Sequence, residues 1–113
     1  MLGDGALGAR TAFLSRPYAD DPSTCGIPVF TQETMDEMIG YANAHGMQAA
    51  VHTIGDACLD RVLSAYEKAL AENPREDHRH GIVHCQITRA DQLEKIRENA
   101  SSRLRTEHLP RLR

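Results

Sequence analysis

The chain reads as an α/β protein made of β-α units with parallel strands, and three observations lead there. Segments of helical period alternate with short apolar runs in the order helix, strand, helix, strand, helix. The connections between them are short, as in units joined by right-handed crossovers. Hydrophobic residues make up 41% of the chain but aromatics only 4%, with no Trp; a core of Leu, Ile, Val, Met and Ala suits helix-on-sheet packing better than a small all-β domain. Two strands do not make a sheet buried on both faces, even if the opening residues add another. The 113 residues are therefore expected to be a slice of a larger α/β body, or a chain that self-associates to cover its edges.

The opening "GDGALGAR" carries the Gly3-x-Gly5-x-x-Gly8 spacing of a dinucleotide-binding turn. That motif needs a strand before it and a helix after it, so that helix N–H groups face the pyrophosphate. Here only Met1 and Leu2 precede it, and Pro17, Pro22, Gly26 and Pro28 interrupt the segment on its other side. The glycines are read as loop residues that allow close backbone approach, and no nucleotide cofactor is expected.

The first helix lies in "VFTQETMDEMIGYANAHGM". Thr31 is its expected N-cap, Phe30 and Met35 a staple across the cap, and Gly46 the left-handed stop. Met35, Met38, Ile39 and Ala42 fall on one apolar stripe. "MQAAVH" then reads as a buried strand from Met47 to about His52. After "TIGD", Asp56 is the expected cap of a second helix, whose Leu59, Val62, Leu63, Tyr66 and Leu70 repeat at helical spacing until Asn73-Pro74. "GIVHCQ", Gly81 to about Gln86, is the second strand. Thr88-x-x-Asp91 resembles a capping box opening a third helix with Leu93 and Ile96 inward. The closing "SSRLRTEHLPRLR" has four arginines and no coherent period; residues 100–113 are expected to be a disordered basic tail, with an interaction tail as the alternative.

The formal charge of −3 argues against a nucleic-acid partner, which favours a basic face. Cys25, Cys58 and Cys85 form no C-x-x-C pair, so neither a disulfide framework nor a zinc knuckle is implied, and a cytoplasmic location fits. No apolar run approaches a membrane span and no secretion signal is evident.

The feature that stands out is His52 closing one strand and His84 closing the next, 32 residues apart. One β-α-β repeat of that length places both imidazoles at the same end of adjacent strands, with backbones about 5 Å apart. Catalytic groups in parallel α/β proteins gather at the carboxyl ends of strands. Two convergent imidazoles would supply half of a catalytic site for a divalent ion, zinc first. The competing reading, two hydrogen-bonded histidines at strand ends, stays open on spacing alone. His78-x-His80 also has the look of a metal pair, but His80 lies about 13 Å from His84 along an extended strand. It belongs to the opposite rim, and both residues are read as solvated or structural. His45 is read as a helix C-terminal residue favoured by the dipole.

Taken together, "DGALGARTA", "PYADDPSTCGI", "HTIGD" and "HRHGIVHCQ" resemble, in order and spacing, the YtcJ-like branch of the metal-dependent amidohydrolases (amidohydrolase family 3). The resemblance covers about residues 3 to 99. It implies a partial chain: residues 1–99 as a fragment of a (β/α)8 TIM-type barrel, about strands five and six with flanking helices. It further implies hydrolysis of C–N bonds other than peptide bonds in small amide or formamide-like substrates, with His52 and His84 as metal ligands. Asp4, Arg10 and Asp56 occupy motif positions without an assigned role. The superfamily's other ligands, a His-x-His pair, a bridging lysine and an aspartate from other strands, have no counterpart here, and from about Ala100 the pattern is not continued. A chain with two ligands is expected to be catalytically inactive alone, or an oligomerising piece.

Overall fold

A computed structural model describes residues 1–99, 105–107 and 111–112. The elements run α1 (Gln32–Ala44), β1 (Ala50–Thr53), α2 (Asp56–Glu72), β2 (Gly81–His84), β3 (Ile87–Thr88), α3 (Ala90–Asn99), β4 (Arg105–Glu107) and β5 (Arg111–Leu112). β1, β2 and β4 form a parallel sheet in that order. β3 pairs with β5, also in parallel. Met1 to Gly3 run beside the outer edge of β1, where Leu2 bridges His52 and the His52 N–H donates to Met1 O. The alternation read from sequence is thus an α/β unit of three helices and short parallel sheets.

Along β1, Val51 and Thr53 are buried whereas Ala50 is exposed and His52 half-buried. This is period-2 alternation, with one face turned to helices and the other open. The covered face meets one cluster: Met35 and Ile39 of α1, Leu59, Val62, Leu63, Tyr66 and Ala69 of α2, and Val51 and Ile82 of the strands.

α1 starts at Thr31, whose side chain accepts the Thr34 N–H, and Phe30 packs against the cluster holding Met35. Its C-terminus is a Schellman turn: Gly46 at φ +72° donates to Asn43 O, and Met47 N–H reaches back 2.8 Å to Ala42 O. Met47 is thereby held by the helix cap, which is why β1 begins at Ala50 rather than Met47. Met38, which periodicity places in the apolar stripe, is 40% exposed. The buried stripe is Met35, Ile39 and Asn43. Asn43 belongs there because its Nδ2 donates to Ala69 O and Asn73 O, tying α1 to the end of α2.

Asp56 is the first residue of α2 rather than its N-cap, although its Oδ1 accepts the Ala57 N–H at 3.0 Å. Gly55 is the N-cap and makes no side-chain cap bond; the Phe13 carbonyl instead accepts the Ala57 and Cys58 N–H groups. A main-chain acceptor from a distant loop thus shares the capping with the Asp56 side chain. The capping box at Thr88 is also replaced. Gln92 Oε1 accepts the Arg89 N–H at 2.9 Å, while Thr88 Oγ1 donates to Cys85 O and Asp91 pairs with Arg89. Ile96 does pack on the core. Of the tail expected to be disordered, Arg105–Glu107 and Arg111–Leu112 are strands; the rest of 100–113 lies outside the described residues. Among the described residues, no helix is long and apolar enough to cross a membrane.

Candidate metal centre

His52 and His84 sit on β1 and β2, whose register pairs His52 with Val83 and Thr53 with His84. In a regular parallel pair, directly opposed residues point to the same side, so His84 would share the helix-facing side with Thr53. It does not. His84 adopts φ +73° and Cys85 φ +48°; β2 ends there, and the left-handed backbone turns the His84 ring to the open face. The two ring centroids lie 4.9 Å apart, edge to face. A non-glycine residue in this conformation stores about 1–3 kcal/mol of strain, a cost commonly met where geometry serves a site.

His52 Nε2 lies 2.9 Å from Gly5 O. A carbonyl only accepts, so Nε2 carries the proton, and in the neutral ring Nδ1 holds the lone pair. A hydrogen bond of this kind is how proteins fix which imidazole nitrogen faces a metal. Asp4 Oδ1 is 3.9 Å from the same Nε2, but its side chain is fully buried and otherwise engaged. It accepts the N–H groups of Phe13, Ile54 and Gly55 at 2.8–3.0 Å. Asp4 is therefore a clamp that pins the opening loop and the Phe13 segment to the carboxyl end of β1.

Arg10 pairs with Asp20 on the surface, away from the imidazoles. Asp56 accepts from the Ser15 N–H and hydroxyl and from Arg89. Burial pushes its carboxyl up, but the bonds from Ser15 and Arg89 outweigh burial and hold it below the usual carboxylate range. Arg89 also binds Asp60 and Asp91, tying α2 to α3.

His78 and His80 are at the other end of the sheet, and both are buried rather than solvated. His80 Nδ1 accepts the Ala49 N–H and Nε2 donates to Asn43 Oδ1; Tyr66 and His78 each stack against its ring. Burial, then the neighbouring His78 and Arg75, lower the His80 pKa to about 4. His78 Nε2 is buried and, among the described residues, has no hydrogen-bond partner. His45 closes α1, its Nδ1 donating to Tyr41 O at 2.8 Å, a cap at the dipole's negative end.

The donor set at the open face is two imidazoles. Among the described residues, no group of three or more His, Cys, Asp or Glu side chains is placed to hold a metal ion. The pair fits two positions of a tetrahedral site that needs at least three protein ligands. Sequence reading finds the pair but misses what supports it: the Gly5 carbonyl, the Asp4 clamp and the inversion at His84. The only local signal is a charged residue among glycines, in "GDG".

The parallel α/β unit that carries these two imidazoles is a fold shared with metal-dependent hydrolases. The chain belongs to the amidohydrolase family, whose model matches residues 1–100. It is 43% identical over 95 residues to the putative amidohydrolase YtcJ of Bacillus subtilis (strain 168), covering 84% of this chain and 17% of that one. It is 36% identical over 83 residues to the protein LONG AFTER FAR-RED 3 of Arabidopsis thaliana, covering 74% and 14%. Crystal structures of uncharacterized metal-dependent hydrolases from Pyrococcus horikoshii OT3 and Pyrococcus furiosus superpose with TM-scores of 0.78 at 37% and 40% identity. Each superposition covers 93% of this chain and 20% of the solved one. The chain thus spans a fifth or less of the length of these relatives.

Proposed function

We propose that this chain is a segment of a metal-dependent amidohydrolase barrel, with β1 and β2 as its fifth and sixth strands and His52 and His84 as two ligands of a catalytic divalent ion. The observation that carries this reading is the pair of rings 4.9 Å apart on the open face of adjacent parallel strands, one of them turned there by a left-handed backbone. His52 would present Nδ1, because Nε2 is occupied by Gly5 O. Zinc is the ion of choice for paired imidazoles. When bound, such an ion supplies an activated water and a polarised carbonyl, which is the chemistry that hydrolysis of a small amide or formamide-like C–N bond requires. This chain's share is to hold two donors at fixed orientation. The remaining ligands would come from other strands of a complete barrel. The free cysteines are in keeping with a cytoplasmic setting, and neither a nucleic acid nor a membrane is proposed as a partner.

Zinc titration followed by histidine ring NMR signals tests the assignment. Wild-type chain should show both rings shifting together with weak affinity, as expected for two ligands, and His52→Ala or His84→Ala should each weaken binding by about tenfold or more. Binding untouched by both changes would remove the pair from the metal site.

A second reading is a catalytically inactive piece that associates with itself. It is favoured by the apolar surface left open at one edge: Met1, Leu2, Met38, Tyr41 and Met47 are 39–64% exposed. Met1, Met38, Tyr41 and Met47 line one shallow groove between α1 and the start of β1.

A further inference from the structure

His52 is oriented by a carbonyl, and that carbonyl is itself held in place. Gly5 O belongs to the peptide that joins Gly5 to Ala6, and a planar trans peptide points its N–H away from its C=O. On the far side of this peptide, the Ala6 N–H donates to Thr11 Oγ1 at 3.0 Å. The main chain of Thr11 closes the same loop from both directions: Gly5 N–H donates to Thr11 O and Thr11 N–H to Ala6 O, each at 3.1 Å. The hydroxyl takes the one donor that this pairing leaves over. Gly5 makes the approach possible, since a Cβ there would stand 2.0 Å from Thr11 Oγ1.

We propose that Thr11 is a positioning residue for His52: its hydroxyl sets the plane of the Gly5–Ala6 peptide, whose carbonyl takes the His52 Nε2 proton and so leaves Nδ1 as the donor on the open face. The proposal rests on the reading of His52 as a metal ligand, and it gives Gly5 and Thr11 of the opening motif a shared purpose. Asp4 fixes where the loop is attached; Thr11 fixes how its first peptide is turned. Outer hydrogen-bond partners of metal-binding histidines are worth roughly 10–100-fold in metal affinity, so a marginal two-ligand site should feel the loss.

The test compares the 113-residue wild-type chain, Thr11→Val and Thr11→Ser. Val keeps the shape and removes the hydroxyl, leaving the Ala6 N–H without its acceptor; Ser restores the oxygen. The His52 Nε2–H is read by 15N–1H imidazole correlation and its exchange with solvent, beside backbone spectra that report whether the fold is intact. Wild type and Thr11→Ser should show a protected Nε2–H. In folded Thr11→Val, exchange should be at least about tenfold faster and the zinc Kd about tenfold higher. A Thr11→Val protein with wild-type Nε2–H protection would overturn the proposal, as would failure of Ser to restore it. If zinc moves neither ring of the wild type, the metal reading falls, while Nε2–H protection still decides the role of Thr11.

Discussion

Two buried polar residues show how much a single side chain can organise. Asp4 sits at zero exposure and accepts three main-chain N–H groups, joining three segments through one carboxylate. His80, at the opposite end of the sheet, works only as a neutral ring, because its Nδ1 must accept the Ala49 N–H. Its folded pKa of about 4 lies below the ordinary 6.5, so the unfolded chain takes up this proton first as pH falls. Stability is full above about pH 6.5 and is lost as pH drops toward 4, with a slope of at most about 1.4 kcal/mol per pH unit. His78, also lowered by burial, acts in the same direction. Urea unfolding at about pH 7.5 and pH 5 should therefore differ by about 2 kcal/mol in favour of the higher pH. Equal stability at the two values would contradict the buried neutral pair.

At the scale of elements, α1 offers a sharper test, because one substitution made at two of its glycines should act in opposite directions. Gly46 lies at φ +72° in the Schellman turn, with open space where a Cβ would go. Gly46→Ala should cost about 1 kcal/mol purely through backbone strain. Gly40 lies inside α1, also facing open space. Gly40→Ala should stabilise the chain by about 0.5–1 kcal/mol. Thermal melts of the two variants should move to opposite sides of wild type; shifts of the same sign would mean that the helix end is not where Gly46 places it. α2 shows the limit of local reasoning. A capping residue at Asp56 is legible as a type, and its Oδ1 does accept the Ala57 N–H, yet the same carboxylate also holds Ser15 and Arg89, and the Phe13 carbonyl shares the helix's free N–H groups.

The whole molecule is an open sheet with helices on one side. Among the described residues, its β1 edge is met only by residues 1–3, and the adjoining groove is lined by Met38, Tyr41 and Met47. Such edges and patches promote pairing with other chains. Sedimentation should show concentration-dependent association of the wild type, and Tyr41→Lys, which changes a side chain 64% exposed on the outside of α1, should reduce it without loss of helix content. Association unchanged by this charge would shift attention away from the groove.

The order of the three helices with β1 and β2, most of the helical stripes, the Schellman glycine and the two histidines are readable from sequence, because each rests on spacing along a few neighbouring residues; β3, β4 and β5 are not. What tertiary structure decides is where those signals lead once distant segments compete for the same hydrogen bonds. Met38 faces out because Asn43 is needed inward to meet the end of α2. Asp56 shares the start of α2 with Phe13 O, a partner distant in sequence. His84 meets His52 because its backbone inverts at the end of β2. Periodicity records which residues are apolar and how far apart they lie; long-range polar partners and a reversed φ leave no period behind, so only the folded chain reveals them.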